Sequence, residues 1–279
     1  MRNRTVISLS DEQEYFINKS FEGFNILVDA CIGSGKTTAI QYLCDSLPDN
    51  KRILYLTYNK LLKIDAKSKI KSKNATVTNY HSFAYSCLRK EGINASINDM
   101  ISRFNKERPS FRKYDILIID EYQDIESEFA EMLEYIKSKN NKMQIIAVGD
   151  MQQKVYDKTN LSVSDFIDSF LGNYIRIEFT KCFRLSYELA DKLGRIWNKK
   201  IIGINSNCKV EIMKKDQVVN FLSSQEPEDI LCLGSRNGDL SDTLNLLESN
   251  FSERFNKKTV YASIKNNDSL NPESVIFKL

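Results

Sequence analysis

Short apolar runs alternate with amphipathic segments along the first 170 or so residues of this 279-residue chain. Residues 24–28 have the length and composition of a buried strand, and apolar positions at helical spacing begin at Lys36. Further strand-like runs lie at 53–57, 115–120 and 144–148. The run before Asp120 is continuously apolar, which is typical of a central parallel strand buried on both faces. The pattern predicts an α/β fold, with helices on both faces of a parallel sheet.

A second alternation of strands and helices begins near residue 173. Strands are predicted at 174–179, 209–213, 229–233 and 259–263, and helices at 184–197, 218–222 and 240–247. We therefore predict a first domain over 1–170, with a small helical insert at about 87–113, and a partial second domain over 171–279. Ligands of such sheets bind at the carboxyl ends of the strands, so chemically active residues are expected there.

The segment between the first strand and the first helix consists of small residues and ends in Gly35-Lys36-Thr37. Such a loop points backbone N–H groups at an anion, and the following helix adds the positive end of its dipole. We expect Lys36 to face solvent and to reach the β- and γ-phosphates of a nucleoside triphosphate, and Thr37 to ligate Mg²⁺. An ordinary glycine-rich turn is the alternative, and Ala30 stands where the usual pattern has glycine. The candidate nucleotide-binding residues are Ala30, Gly33, Ser34, Gly35, Lys36, Thr37 and Thr38.

Two acids, Asp120 and Glu121, close the apolar strand at 115–120. Asp120 is a candidate to hold Mg²⁺ through water, and Glu121 is a candidate to orient or deprotonate an attacking water. One acid could instead cap the next helix, which has an apolar face within 129–136. Capping does not explain two acids at the end of a buried strand. A site that hydrolyses a nucleotide is therefore the preferred interpretation.

Residues 120–124, Asp-Glu-Tyr-Gln-Asp, resemble motif II of superfamily 1 ATP-dependent DNA helicases of the UvrD/Rep type. Five other segments resemble motifs of that family in the expected order: residues 9–13 the adenine-reading Q motif, 56–60 motif Ia, 78–84 the Thr-x-x-His-Ser-Phe-Ala segment, 149–156 motif III and 182–184 the core of motif IV. The resemblance implies a P-loop NTPase with two RecA-like domains that meet across ATP, the second one incomplete here.

The same resemblance implies roles at the nucleotide. Gln13 reads adenine, Phe183 stacks on it, and Gln153 and Arg184 contact the γ-phosphate. Ser10-x-x-Gln13 is also a good capping box, so the glutamine has a second interpretation. The arginine has one too, as a solvated residue that opens the helix at 184–197. The candidate catalytic residues are thus Lys36, Glu121, Gln153 and Arg184.

Candidate DNA contacts fall in motif Ia, the Thr-x-x-His segment and motif III, at Tyr58, Asn59, His81 and Tyr156. The resemblance implies that Tyr58 stacks on a base, a contact that tolerates any sequence, although a half-buried aromatic is the alternative. His81 is the only histidine, and a lone histidine is commonly structural. Six lysines between residues 60 and 73 suit a DNA backbone track, and equally a solvated helix face.

In the complete family, ATP hydrolysis drives 3′-to-5′ movement on single-stranded DNA. The implied partners are single-stranded DNA or a 3′-tailed duplex, and the implied cofactors are ATP and Mg²⁺. The last residues resemble the strand that precedes motif V, so we expect a fragment or truncated form, weakly active alone and completed by a protein partner or a missing C-terminal part. The alternative is a regulatory or partner-docking module that binds ATP and DNA without unwinding. A P-loop kinase or transporter ATPase accounts for neither motif II nor motif III.

Composition adds three limits. A net charge of +3 does not indicate nucleic-acid binding by itself. The six cysteines lack CxxC spacing, which argues against zinc and disulfides and favours a reducing cytoplasm. No apolar run approaches the roughly eighteen residues of a membrane span, so no membrane contact is expected.

Overall fold

The computed structural model describes residues 8–58, 60–154, 161–230 and 237–255. Those residues divide into two compact units, the first ending at Lys209 and the second beginning at Val210. The described strands of the first unit include β1 (Asn25–Ala30), β2 (Ile53–Thr57), β3 (Ala75–Asn79), β4 (Ile116–Asp120), β5 (Gln144–Gly149) and β6 (Tyr174–Phe179). Within the described ranges they form a six-stranded parallel sheet in the order β3-β2-β4-β5-β1-β6.

Helices cover both faces of this sheet, because successive strand residues point to opposite sides. Leu117 and Ile119 of β4 join one core with residues of the helices that follow β3, whereas Ile116 and Ile118 join the opposite core with the helices nearest the start of the chain. The predicted α/β fold is confirmed. The helices are α1 (Asp11–Phe21), α2 (Lys36–Ser46), α3 (Lys60–Lys69), α4 (Tyr80–Lys90), α5 (Met100–Glu107), α6 (Ser127–Ser138) and α7 (Val163–Leu171).

The predicted helical insert at about 87–113 contains α5. Ile101 and Phe104 of this helix are buried, and the Phe104 ring meets the Tyr135 ring of α6 edge-on at 5.8 Å. The insert therefore closes one of the two cores of the sheet and does not stand away from it.

The strand at 174–179 was expected to open the second domain, and this expectation is wrong. As β6 it pairs in parallel with β1, from Asn25 opposite Tyr174 to Ala30 opposite Phe179. The sequence pattern shows that a strand forms there, but nothing in the pattern specifies its neighbour in the sheet. The predicted boundary at residue 170 thus cuts through a unit that extends to Lys209.

A small two-stranded parallel sheet follows β6. It pairs β7 (Lys181–Cys182) with β8 (Ile202–Gly203), and α8 (Tyr187–Trp197) runs between them. A Cβ at Gly203 would overlap the carbonyl oxygen of Ser186, so a glycine lets the strand lie against the start of the helix. This arrangement fixes the chain on both sides of Phe183 and Arg184.

The second unit contains α9 (Lys215–Ser223) and α10 (Asn237–Asn250) with a small apolar cluster of Val219, Ile230, Leu244, Leu247 and Phe255. The strand predicted at 209–213 is not formed, which corrects that prediction. Its alternating apolar residues Val210 and Ile212 are 64% and 100% exposed, so no sheet neighbour covers them. The predicted strand at 229–233 falls partly outside the described residues, and the one at 259–263 lies wholly outside them.

None of the helices in the described ranges combines the length and the apolar composition needed to cross a membrane. The cysteines within these ranges carry free thiols, namely Cys31, Cys44, Cys87, Cys182 and Cys208.

Candidate active site

The loop between β1 and α2 has the backbone of an anion-binding turn. Gly33 and Gly35 have φ of 66° and 77°, in the left-handed region that glycine adopts without strain, and Gly35 is the N-cap of α2. A Cβ at Gly33 would also come within 2.8 Å of the Arg184 Cβ. Ser34 Oγ is buried and has no hydrogen-bond partner among the described atoms. A buried hydroxyl without a partner, beside a helix N-terminus, fits a phosphate oxygen.

Lys36, the first residue of α2, lies opposite the acids that end β4. Its Nζ is 3.7 Å from Oε2 of Glu121, and the two side chains are only 11% and 19% exposed. The expectation that Lys36 faces solvent is therefore wrong, because the carboxyl end of β4 meets the same edge of the sheet as that of β1. The structure thus joins the two halves of the predicted site through a largely buried ion pair.

Asp120 is buried below Glu121. Tyr55 donates a hydrogen bond of 2.7 Å to its Oδ2, and the backbone N–H of Glu121 donates to its Oδ1. Burial, and then the charge of Glu121, raise the pKa of Asp120 to about 6. A buried carboxylate that shares its edge of the sheet with a threonine at the start of α2 supplies the hard oxygen donors that Mg²⁺ prefers, and Thr37 occupies that helix position.

Glu121 adopts a left-handed backbone conformation, with φ 53° and ψ 53°. Gln123 also contacts its carboxylate, because Gln123 Nε2 donates to Oε2, the oxygen that faces Lys36, at 2.8 Å. A non-glycine residue in this region is strained, and such strain persists where surrounding contacts fix it. These contacts aim the Glu121 carboxylate at Lys36.

Gln123 also connects motif II with motif III. Its Oε1 accepts from the backbone N–H of Asp150 at 3.0 Å, and Asp150 Oδ2 accepts from Gln153 Nε2 at 3.0 Å. Gly149 makes this approach possible, since a Cβ there would overlap the Gln123 amide and the Tyr122 ring. The predicted base and the predicted γ-phosphate sensor are therefore linked by three successive hydrogen bonds.

The candidate adenine contacts, Phe183 and Gln13, meet carbonyl groups of the loop between β1 and α2. The backbone N–H of Phe183 donates to the Gly33 carbonyl at 2.9 Å, so the structure brings Phe183 and Arg184 to the phosphate loop. Gln13 forms the predicted capping box with Ser10, and its Nε2 also donates to the Ser34 carbonyl at 2.9 Å. The capping interpretation is thus observed, and the contact with adenine stays a prediction.

The candidate DNA contacts form a second group around Phe129. Tyr58 and His81 both meet its ring edge-on, at 6.3 and 5.7 Å between centroids, and line a groove of about 390 Å³ with Lys60. Burial lowers the pKa of His81 despite the nearby acids, which keeps it neutral at pH 7. Asn59 and Tyr156 lie outside the described residues.

Comparison with known proteins places the chain in a family. A family model described as an AAA domain matches residues 13–159, slightly more than half of the 279 residues. The chain belongs to this AAA domain family. The matched range holds the Q motif glutamine, the phosphate loop and motifs II and III, and ends before Phe183 and Arg184.

Relatives of this chain include a curated Candida albicans protein named ATP-dependent DNA helicase PIF1. It is 25% identical over an alignment of 162 residues, which covers 54% of this chain and 17% of the relative. Solved structures similar to this chain include Pif1 helicase from Candida albicans (TM-score 0.49, 20% identity, covering 82% of this chain and 50% of that chain). Pif1 from Bacteroides in complex with ADP-AlF3 and single-stranded DNA is another (TM-score 0.45, 17% identity, 89% and 58%).

The AAA domain chain therefore spans under a fifth of the curated relative and about half of the solved Pif1 chains. The predicted relationship to superfamily 1 DNA helicases is confirmed at the level of the superfamily. The relative is named as a PIF1 helicase, so the finer UvrD/Rep assignment is not among the findings.

The sequence assigned no role to four residues that the structure brings to the candidate active site, namely Tyr55, Gln123, Asp150 and Lys199. Gln123 and Asp150 stand within the matched motifs II and III, so their motif positions were a usable signal. Tyr55 reads as an ordinary strand residue. Lys199 lies in a stretch that resembles no motif, and only the fold brings it to the site.

Replacing Tyr58 with alanine in the AAA domain protein should weaken single-stranded DNA binding by about 1–3 kcal/mol, the stacking energy of one base, whatever the DNA sequence. The half-buried ring lines the groove beside Phe129, and it is remote in sequence from the phosphate loop. Fluorescence anisotropy with two unrelated oligonucleotides measures the effect. Tyr58→Phe, which keeps a ring, should bind as the wild type, and so should Tyr85→Ala at an exposed tyrosine.

DNA affinity that stays intact in Tyr58→Ala, together with a lowered melting temperature, would make Tyr58 a packing residue. ATP affinity measured without DNA should be the same in all three variants.

Proposed function

We propose that this chain is the ATP-hydrolysing motor region of a superfamily 1 DNA helicase, and that it couples ATP hydrolysis to movement on single-stranded DNA. The observation that carries the proposal is the contact of 3.7 Å between Lys36 of the phosphate loop and Glu121 at the end of β4. It joins a phosphate-binding cation to a candidate base at the edge of the sheet where nucleotides bind.

Each residue has a role in this proposal. The N–H groups at the start of α2 and the Lys36 ammonium hold the β- and γ-phosphates. Thr37 and Asp120 would hold Mg²⁺, which would neutralise charge on the phosphates. Gln153 and Arg184 contact the γ-phosphate, while Phe183 and Gln13 contact the base.

Hydrolysis then depends on releasing Glu121 from its ion pair. In the structure the Lys36 ammonium faces the Glu121 carboxylate at 3.7 Å. When the phosphates of a bound nucleotide attract Lys36 away from Glu121, the carboxylate keeps the hydrogen bond from Gln123. The freed carboxylate accepts a proton from the attacking water while Arg184 offsets charge on the γ-phosphate.

On the DNA side, Tyr58, His81 and Lys60 supply stacking and charge along the groove beside Phe129. The motif resemblance favours the UvrD/Rep type and 3′-to-5′ movement, with a 3′-tailed duplex as substrate. Pif1 helicases move 5′-to-3′, so the two alternatives require opposite tails. We place the reaction in a reducing cytoplasm, which the free thiols of the described cysteines support.

The test is ATP turnover by the purified chain with and without single-stranded DNA, followed by strand separation on 3′-tailed and 5′-tailed duplexes. DNA-stimulated turnover supports the motor, and the tail that permits unwinding gives its direction. Binding of ATP and DNA without any turnover would contradict it and would favour the docking module, an ATP-binding region that recruits a partner.

A further inference from the structure

A largely buried lysine on the loop after α8 reaches the carboxyl ends of two central strands. Lys199 Nζ donates to Oδ1 of Asp29 and to Oδ1 of Asp150, both at 2.7 Å, and to the carbonyl of Ala30 at 3.1 Å. Asp29 and Ala30 end β1, immediately before the phosphate loop, and Asp150 follows β5. One ammonium group thus uses its three donors on the elements that lead into the phosphate loop and motif III.

The position of Lys199 is fixed by the end of α8. Asn198 caps this helix in the left-handed conformation, at φ 47°, and the backbone N–H of Lys199 donates to the Gly194 carbonyl at 2.9 Å. A Cβ at Gly194 would come within 2.7 Å of the Lys199 carbonyl oxygen, so a glycine allows the loop to fold back on the helix. The side chain is therefore aimed by its backbone before it meets the acids.

The Asp150 carboxylate, fully buried, depends on this lysine for its counter-charge. Oδ1 accepts from Lys199 and from the backbone N–H of Gln152, and Oδ2 accepts from Gln153 Nε2. A buried carboxylate that loses its cation is costly to keep in place and turns toward water. This change redirects the oxygen that holds Gln153.

We propose that Lys199 is a positioning residue of the ATP site, which acts on Gln153 through Asp150 and on the entrance of the phosphate loop through the Ala30 carbonyl. The inference rests on the proposed function, since it assumes that Gln153 senses the γ-phosphate. In this role Lys199 acts through Asp150 and the Ala30 carbonyl. It sets the geometry in which the sensor meets the phosphate.

The first test compares the steady-state ATPase of Lys199→Met with that of Lys200→Met, a matched loss of one exposed charge at the next residue. We expect Lys199→Met to lower kcat by about ten- to a hundredfold, the effect of a misplacement near 1 Å, with KM for ATP changed less than about threefold. Lys199→Arg keeps a charge and donors and should recover part of kcat. Lys200→Met should match the wild type.

A second measurement tests directly whether Lys199 keeps the segment after Asp150 in place, and it does not depend on ATP turnover. Hydrogen exchange followed by mass spectrometry should show faster exchange at the amides of Gln152 and Gln153 in Lys199→Met, with α6 unchanged. Should Lys199→Met fail to fold, Lys199→Gln keeps a donor toward Asp150 and is judged by the same criteria.

The two readouts separate the two hypotheses. If the wild type shows no ATPase activity, the proposed function is contradicted. If Lys199→Met nevertheless speeds exchange at residues 152 and 153, the inference that Lys199 positions this segment is supported. Unchanged exchange in Lys199→Met and Lys199→Gln overturns the inference, and so does a fall in kcat that only matches the fraction of unfolded protein.

Discussion

Glu121→Gln should lower the DNA-stimulated ATPase rate by about 10²–10⁴-fold, the usual contribution of a general base, while binding of ATP–Mg²⁺ stays within a few-fold of the wild type. The amide keeps the size of the carboxylate and can still accept the hydrogen bond from Gln123 at its oxygen. It cannot accept a proton from water. Single-turnover hydrolysis and titration with a fluorescent ATP analogue measure the two quantities separately.

Asp120→Asn is the matched comparison, one residue earlier in the chain. Its amide can still accept the hydrogen bond from Tyr55, but it loses the charge that holds Mg²⁺. Nucleotide affinity should therefore fall in the presence of Mg²⁺ and change little in EDTA. The division of roles between the two acids is wrong if both variants lose affinity equally.

Lys36→Ala should weaken ATP binding by about 10²-fold or more, because a charge-assisted hydrogen bond contributes about 1.5–3 kcal/mol and Lys36 is expected to make one to each of two phosphates. The variant also leaves the Glu121 carboxylate, only 19% exposed, without its cation. Isothermal titration with a non-hydrolysable ATP analogue gives the affinity.

Lys142→Ala, at an exposed lysine before β5, controls for the loss of one positive charge. Both variants should melt cooperatively, which separates lost binding from lost folding. An ATP affinity of Lys36→Ala equal to that of Lys142→Ala would contradict the phosphate-loop interpretation.

Much of the candidate nucleotide site could be predicted because its determinants are local. The loop between β1 and α2 needs glycine at left-handed positions and a lysine at the helix start, and both requirements are visible in consecutive residues. The two acids come at the end of a continuously apolar run. Such a run predicts a strand that is buried on both faces, as β4 is. The parallel sheet follows from the alternation of such runs with helices.

The rest depends on pairing between distant residues, which no local pattern encodes. β6 was assigned to the wrong domain because a strand pattern does not name its neighbour. Lys199 looks like one of many surface lysines, and its burial follows from the helix end at Asn198. Val210 and Ile212 alternate as in a strand, but both side chains are exposed and none of the described strands covers them.

The place of β1 in the sheet also constrains how the chain acquires its structure during synthesis. β1 is made first of the six strands, yet its neighbours are β5 and β6. The Asn25 amide donates to Leu171, 146 residues later, and Glu12 accepts from Thr180, 168 residues later. A nascent chain that has not yet reached β6 therefore carries the phosphate-loop sequence without the strand that walls it. Of the six strands, β1 is translated first, but it gains its second neighbour only when β6, the last of them, has been made.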